Sequence, residues 1–298
     1  MSLVAMLAAA HAKIPSIQIA PKVFMPLAGI GTWQYNSSVA GEVVAMALGM
    51  GYTHVDTALG YENQVGIGEA LQRSFKSGII ARKDLFLVSK IPGGFDGPSA
   101  AAALTQSVEQ LFPNDPSGYV DLMLVHFPAT WGGKGGKAAR QAEWRALEAF
   151  VRAGKTKSIG ISHYCRKHLD DILEMATIPP AVNQVQFHVG MGSAGVNATD
   201  DREYMQSKNV TYEGFSPLCG PCDGADKMEL ITGKLVTEIG AKHHKSGAQV
   251  ALKWQVCARA CGCLCAPSRD AFACLCPHRA LCVTRGDGCL RRSSKASR

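Results

Sequence analysis

The chain has 298 residues, of which 47% are hydrophobic and 18% charged, a composition typical of one large globular domain. Its formal net charge of +7 comes almost entirely from the C-terminal segment. Residues 256–298 hold eight Lys and Arg against two Asp and Glu, which leaves 23 against 22 in residues 1–255. A near-neutral body argues against a nucleic-acid-binding face, and no apolar run approaches the ~20 residues of a membrane span. We therefore expect neither nucleic acid nor a membrane as partner.

Cysteine is divided along the chain in the same way as charge. Eight of the eleven cysteines fall in Cys257–Cys289, and the body holds only Cys165, Cys219 and Cys222. So few cysteines in the body suit a reducing compartment, which predicts a cytoplasmic protein. The N-terminal segment MSLVAMLAAAHAK lacks the basic region and the usual length of a signal peptide, so we expect an ordinary N-terminus.

Apolar runs of strand length alternate with helix-period segments along the body. The predicted strands are Leu27–Gly31, Thr53–Asp56, Leu85–Lys90, Val120–His126, Ser158–Ser162, Val182–Gln186 and Val210–Ser216. The predicted helices are Val39–Met50, Val65–Phe75, Ala100–Leu111, Ala142–Val151, His168–Met175, Leu230–His243 and Gly247–Trp254. Short, continuous apolar strands between helices indicate a parallel sheet with both faces covered.

A doubly wound open sheet and a closed (β/α)8 TIM barrel both fit this count of units. Polar residues decide between them, because each lies at or near the carboxyl end of a different predicted strand. These residues are Asp56, Lys90, His126, Ser162, Gln184 and Ser216. In a barrel such ends converge on one rim, whereas an open sheet spreads them along an edge. We therefore predict the barrel.

The eighth barrel unit is aberrant or missing in this interpretation. After the helix that contains Trp254, the sequence has no helical period, and its Cys- and Arg-rich composition differs from that of the body. Cys263–Ala266 and Leu281–Thr284 are weak candidates for an eighth strand. The spacing of the tail cysteines does not match a zinc site, and we expect no metal. We predict a barrel domain over residues 1–256 and an atypical tail over residues 257–298 outside the fold.

Four ionisable side chains at these strand ends suit proton transfer to a carbonyl oxygen. An unperturbed tyrosine is a poor proton donor at neutral pH, but a nearby ammonium lowers its pKa. On this hypothesis Asp56 holds Lys90, and the two lower the pKa of Tyr61, which protonates the nascent alkoxide. His126 orients the substrate oxygen by a hydrogen bond. Reduction of an aldehyde or ketone by hydride transfer needs this set.

Several stretches together resemble the aldo-keto reductase family. They are HVDTALGYENQVGIGEAL, LFLVSK, DLMLVHFP, IGISHY, AVNQVQFH and FSPLCG, in the family's order and spacing over about residues 24–254. The resemblance implies a TIM barrel that reduces carbonyl compounds with NADPH and a catalytic set of Asp56, Tyr61, Lys90 and His126. It also implies a monomer that acts on a small carbonyl substrate.

The same resemblance implies a cofactor site along the rim. The positions that match are Gly31, Thr32, Trp33, Asp56, Ser162, His163, Gln184, Phe215, Ser216 and Leu218. Phe215 stands where an aromatic ring stacks on the nicotinamide, and His163 stands where the family has Asn. The motif that binds the adenosine 2′-phosphate is absent, which leaves NADH possible. Trp33, His126 and Trp131 are the expected substrate contacts.

Two other interpretations remain open at this point. The chain can be an inactive protein of the same fold that binds a nicotinamide cofactor as a sensor or binding module. It can also be a different barrel enzyme in which Lys90 forms a Schiff base with its substrate.

Overall fold

The computed structural model describes residues 14–189, 198–218 and 224–261. The strands are β1 (Ser16–Ala20), β2 (Val23–Pro26), β3 (Ile30–Gly31), β4 (His54–Asp56), β5 (Phe86–Ile91), β6 (Val120–Val125), β7 (Thr156–Ser162), β8 (Val182–Gln186) and β9 (Thr211–Phe215). The helices are α1 (Ser37–Gly49), α2 (Gln64–Lys76), α3 (Gly97–Leu111), α4 (Lys137–Arg152), α5 (Arg166–Leu173), α6 (Ala198–Ser207), α7 (Gly224–Thr232), α8 (Lys234–His243) and α9 (Gly247–Cys261).

Strands β3 to β9 form one parallel sheet in the order of the chain, and β1 pairs with β2 as an antiparallel hairpin. Every residue of β5 and of β6 is buried, as expected for parallel strands that are covered on both faces. One core lies between the strands and the surrounding helices. A second core lies inside the sheet, where Ile19, Val23 and Met25 of the hairpin pack with Phe86 and Leu122. The hairpin thereby covers the end of the sheet at which the strands begin.

Two contacts across the interior show that the sheet is curled into a barrel. The Nε2 atom of Gln184 on β8 donates to Oδ2 of Asp56 on β4 at 2.9 Å. His54 on β4 lies 3.9 Å from Glu213 on β9. Strands β4 and β8 are four positions apart in the sheet, which is roughly 19 Å in a flat sheet with ~4.8 Å between strands. The barrel prediction is therefore confirmed, and the open sheet is excluded.

The described residues hold seven parallel strands, and α9 is the last element among them. The two candidates for an eighth strand, and the tail cysteines considered for zinc, lie outside the described residues. No helix in the described ranges has both the length and the apolar character that crossing a bilayer requires.

Three expectations about local structure were wrong. The single helix predicted over Leu230–His243 is two helices, because Gly233 takes an extended conformation between α7 and α8. The first barrel strand covers only Ile30–Gly31, since the hairpin ends at Pro26 and residues 27–29 belong to neither strand. The hairpin was not predicted because its strands are short, although Ile17 and Ile19 alternate with polar residues, and α6 was not predicted because it carries no clear apolar period.

Candidate active site

Four predicted catalytic residues meet at the carboxyl rim of neighbouring strands. Asp56 is the last residue of β4, Lys90 is the second-last residue of β5, and His126 directly follows β6. Tyr61 ends a single 3₁₀ turn, Leu59–Tyr61, that follows β4. The backbone N–H of His126 donates to the carbonyl of Ile91 at 2.8 Å, which continues the strand pairing beyond β6.

Lys90 is the centre of this group. Its side chain is almost fully buried, and its Nζ atom donates to Oδ1 of Asp56 at 2.5 Å and to the carbonyl of Thr57 at 3.1 Å. A third, longer contact of 3.4 Å reaches the hydroxyl of Tyr61. Gln184 donates to the other oxygen of Asp56, so both carboxylate oxygens are engaged. The ammonium and the carboxylate are therefore held in one geometry by neighbours from three strands.

The pKa values of Lys90 and Tyr61 are both raised. Burial alone lowers the pKa of Lys90, but the charge of Asp56 and the neighbouring Tyr61 raise it above its ordinary value. Burial raises the pKa of Tyr61, and the charge of Lys90 opposes this while that of Asp56 adds to it. The expectation that Lys90 and Asp56 together lower the pKa of Tyr61 was therefore wrong for the net shift, since only Lys90 acts in that direction. Tyr61 is protonated at neutral pH, as a proton donor must be.

The protonated state of Lys90 also bears on the Schiff-base interpretation. An amine attacks a carbonyl carbon only when it is neutral, and Schiff-base lysines have lowered pKa values. The raised pKa of Lys90 and its ion pair with Asp56 keep it charged. The geometry therefore argues against a nucleophilic lysine.

His126 faces Tyr61 across the pocket. The two rings meet edge to face with their centroids 5.6 Å apart, and the imidazole stacks on Phe127 at 4.5 Å. Burial foremost, and then the charges of Lys90 and His163, lower the pKa of His126 to about 3. His126 is therefore a neutral imidazole across the physiological range, able to donate one hydrogen bond without carrying charge.

These residues open into a pocket of about 880 Å³ at the rim. Most of the predicted site residues line it: Gly31, Thr32, Trp33, Asp56, Tyr61, His126, Trp131, His163, Gln184, Phe215 and Ser216. Trp33 is half exposed and Trp131 is 91% exposed, so both stand at the mouth. The pocket lining does not include Ser162, Leu218 or Lys90, of which Ser162 and Lys90 are almost fully buried.

His163 has a defined tautomer that bears on cofactor binding. Its Nδ1 atom lies 3.0 Å from the carbonyl oxygen of His126, which can only accept, so Nδ1 carries the hydrogen. Ser162 donates its own hydrogen to the carbonyl of Gln184 at 2.8 Å and accepts from the same Nδ1 at 3.0 Å. Burial foremost lowers the pKa of His163, so the ring is neutral and its Nε2 is an acceptor. An imidazole in this state offers the acceptor that an Asn carbonyl would offer.

Sequence reasoning missed several residues that shape the site. Asn63 is fully buried and donates to the carbonyls of Thr32 and Tyr35, at 2.8 and 3.0 Å, which fixes the loop that carries Trp33. Phe95 and Phe127 line the pocket as well. Asn63 follows Tyr61 within two residues, a spacing that could have drawn attention to it. Phe95 gives no such signal, because a loop phenylalanine has no pattern that marks it as a pocket wall.

The arrangement defines a TIM-barrel protein whose candidate site lies at the carboxyl rim, the place where barrel enzymes have their active sites. A model of the aldo/keto reductase family matches residues 27–264. The chain therefore belongs to the aldo/keto reductase family, a family of oxidoreductases.

Relatives and solved structures agree with this assignment. The chain is 35% identical over 241 residues to aldo-keto reductase family 4 member C11 of Arabidopsis thaliana, covering 77% of this chain and 73% of that protein. It is 34% identical over 236 residues to the glyoxal reductase of Bacillus subtilis, covering 78% and 76%. An aldo/keto reductase structure from Brucella melitensis superposes with a TM-score of 0.70 at 28% identity, covering 83% and 86%.

Proposed function

We propose that the chain reduces aldehydes or ketones to alcohols by hydride transfer from a nicotinamide cofactor, with Tyr61 as the proton donor. One observation carries this proposal: the Nζ atom of buried Lys90 lies between the Asp56 carboxylate and the Tyr61 hydroxyl, at 2.5 and 3.4 Å. Family membership supports the reaction class, and the glyoxal reductase of B. subtilis is a relative named for a carbonyl substrate.

The pocket residues fit a nicotinamide group. Apart from Gly31 and its chain neighbours, no atom of the described residues lies within 4 Å of the place a side chain at Gly31 would occupy, so the backbone there is open to a ligand. Phe215 presents an aromatic ring to the pocket for stacking, and the acceptor Nε2 of His163 suits a carboxamide NH₂. We propose that these residues, with Gln184, Ser216 and the backbone of residues 31–33, hold the cofactor.

Each residue then has a defined part in the reaction. The bound cofactor supplies the hydride that reduces the carbonyl carbon. Neutral His126 donates a hydrogen bond to the carbonyl oxygen, and Tyr61 passes its proton to that oxygen as charge develops. The Lys90 ammonium stabilises the phenolate that remains, and Asp56 keeps Lys90 charged and in place. Trp33 and Trp131 at the mouth reduce the access of water.

The preferred cofactor in this proposal is NADPH, with NADH as the alternative. The tail that would carry a 2′-phosphate site lies outside the described residues. One relative, from Candida tropicalis, is named an NAD(P)H-dependent D-xylose reductase and is 32% identical over 269 residues. We also propose that the protein is a monomer, which size-exclusion chromatography tests. We further propose that it is cytoplasmic, which cell fractionation tests.

The test is a titration of the purified full-length chain with NADPH and with NADH, followed by quenching of tryptophan fluorescence. Trp33 and Trp131 line the pocket, so binding there should quench. Consumption of the reduced cofactor is then followed with glyoxal, D-xylose and benzaldehyde. We expect binding and turnover with at least one of them.

Two other outcomes would count against this proposal. Binding without turnover on any aldehyde would favour the non-catalytic sensor or binding module. Binding of neither cofactor by a folded protein would overturn both.

A further inference from the structure

Two loops that form one wall of the pocket are in direct backbone contact. A side chain at Gly93, after β5, would meet the carbonyl oxygen of Phe127, after β6, at 1.9 Å. A side chain at Gly94, whose φ is +84°, would meet the backbone nitrogen of Thr130 at 2.6 Å. Only glycine allows the loops to approach so closely, and the positive φ at Gly94 favours glycine as well. The two loops therefore form one body, which we call the rim wall: residues 92–96 and 127–136.

The rim wall supplies the large rings on one side of the pocket. Phe95, Phe127 and Trp131 line the pocket, and the rings of Phe127 and Trp131 meet edge to face at 5.5 Å. None of the four proposed catalytic residues lies within the rim wall. The wall meets this set where Phe127 stacks on His126 at 4.5 Å, whereas the contacts of Lys90 with Asp56 and Tyr61 lie outside it. A shift of the wall therefore changes the space for substrate before it changes the proton donor, Tyr61.

Helix α4 holds both halves of the rim wall through buried ionisable side chains. Glu143 is fully buried, and its Oε1 accepts the backbone N–H of Phe95 at 2.7 Å. Arg140, one turn earlier, donates from Nη1 to the carbonyl of Pro128 at 2.9 Å. The rest of its guanidinium is fixed by Oδ2 of Asp171, at 3.0 and 2.5 Å. One face of α4 thus binds the backbone of each loop.

Burying the Glu143 carboxyl costs free energy of folding, and its hydrogen bonds to the loop backbone offset part of that cost. Burial raises its pKa to about 7, and the backbone N–H groups of Phe95 and Gly94 and the charge of Arg140 offset only part of that. Its second oxygen has no hydrogen-bond partner among the described residues, and neither does the buried hydroxyl of Tyr164. An apolar side chain at position 143 would avoid the cost of burying a carboxyl and the cost of its unpaired oxygen, but it would lose the bond to Phe95. The contact with the loop is what the carboxyl contributes.

We propose that Glu143, supported by Arg140, is a positioning residue that holds the rim wall where it binds the carbonyl substrate. It does not line the pocket itself and acts through Phe95, Phe127 and Trp131. The proposal builds on the proposed carbonyl reduction and adds a determinant of substrate affinity. Loss of the bond should raise KM for a bulky aldehyde while kcat changes little, because the Lys90 contacts are elsewhere.

Glu148 on the same helix provides a matched control. It is also buried, and its Oε1 accepts the backbone N–H groups of Thr177 and Ile178 at 2.6 and 2.8 Å. That loop leads into the start of β8, at the end of the barrel opposite the pocket. Replacement of Glu148 therefore removes a comparable buried contact without touching the rim wall.

The experiment compares Glu143→Leu, Glu143→Gln and Glu148→Leu in the full-length chain. Glu143→Leu should raise KM for benzaldehyde by about tenfold and leave kcat within about twofold. Glu143→Gln keeps an acceptor oxygen for Phe95 and should restore KM to near that of the unsubstituted protein. Glu148→Leu should lower Tm but leave KM unchanged. If Glu143→Leu does not fold, Glu143→Asp, which is one methylene shorter, is used in the same comparison.

Amide hydrogen exchange separates this proposal from the proposed function. Glu143→Leu should speed exchange in residues 92–96 and 127–136, and Glu148→Leu should do so in residues 174–181 instead. If the unsubstituted chain reduces no carbonyl, the proposed function fails and the exchange pattern alone decides whether Glu143 holds the rim wall. Equal KM changes in the Glu143→Leu and Glu148→Leu variants, or unchanged exchange in the rim wall, would overturn the positioning role.

Discussion

At the scale of single residues, the site depends on which side chains are charged. Lys90 and Asp56 form a buried ion pair, while Tyr61, His126 and His163 are neutral at physiological pH. A neutral tyrosine beside a fixed ammonium can give a proton and leave a stabilised phenolate. The sequence identified the residues of this group but gave the wrong sign for the net pKa shift of Tyr61. Burial was the larger effect, and burial is a property of the folded chain.

Tyr61→Phe should reduce kcat for carbonyl reduction by at least about a hundredfold, because it removes the proton donor. Cofactor affinity should stay within about twofold, since the ring that shapes the pocket is kept. The measurements are steady-state kinetics and the fluorescence titration. Tyr52→Phe is the control, because Tyr52 lies outside the pocket. A Tyr61→Phe variant with full kcat would exclude Tyr61 as the donor.

The pH dependence of kcat should be flat from about pH 5 to about pH 9, whereas KM also follows Glu143, whose pKa of about 7 lies inside this interval. His126 has a pKa of about 3, so it does not titrate in this interval. Tyr61 must be protonated to act, and its pKa lies above 10.0, so activity should fall only as pH rises beyond that value. A pH series with one aldehyde measures this. An inflection of kcat near pH 6.5 would show that His126 or His163 changes charge during turnover, contrary to this prediction.

At the scale of elements, close helix contacts fix the rim loops. Helices α1 and α2 cross where Gly41 faces Gly66, and the hydroxyl of Ser37 accepts the backbone N–H of Gly66 at 2.9 Å. Both helices begin at loops that carry pocket residues, Trp33 before α1 and Tyr61 before α2. Periodicity predicted both helices, but it gave no indication of how closely they approach.

Gly66→Ala should lower the free energy of unfolding by about 1–3 kcal/mol, because the added methyl group would lie 2.0 Å from the carbonyl oxygen of Ser37. Gly49→Ala is the matched control in α1, where no atom of the described residues outside the local helix backbone lies within 4 Å of the added methyl group. Thermal unfolding should show a lower Tm for Gly66→Ala and an unchanged or slightly higher Tm for Gly49→Ala. Equal Tm values for the two variants would mean that the crossing relaxes without strain.

At the scale of the whole molecule, the pocket gathers residues from several strands into one site. Asp56 on β4 and Gln184 on β8 bond across the interior, so ligand binding at the rim acts on the whole barrel. A cofactor that binds only the folded state should therefore stabilise it against global unfolding.

NADPH at about a hundred times its dissociation constant should stabilise the fold by about 2.7 kcal/mol. In a chain of this size that corresponds to a Tm increase of roughly 4–5 °C. Differential scanning fluorimetry with NADPH, NADH and adenosine monophosphate measures the effect. Adenosine monophosphate is the control, because it lacks the nicotinamide group. An equal increase with all three ligands would contradict binding of the nicotinamide at the Phe215 and His163 positions.

The sequence alone determined the alternation of strands and helices and the family resemblance, and it predicted the four candidate catalytic residues. These are local properties, because a buried parallel strand must be apolar along its length and a motif occupies consecutive positions. Only the tertiary structure decided that the sheet curls so that Asp56 and Gln184, which are 128 residues apart in the chain, meet across its interior. It also decided the net pKa shift of Tyr61, the tautomer of His163 and the hydrogen bond from the backbone N–H of Phe95 to Glu143. Each of these depends on distances between groups remote in sequence and on water excluded by packing, which no local pattern records.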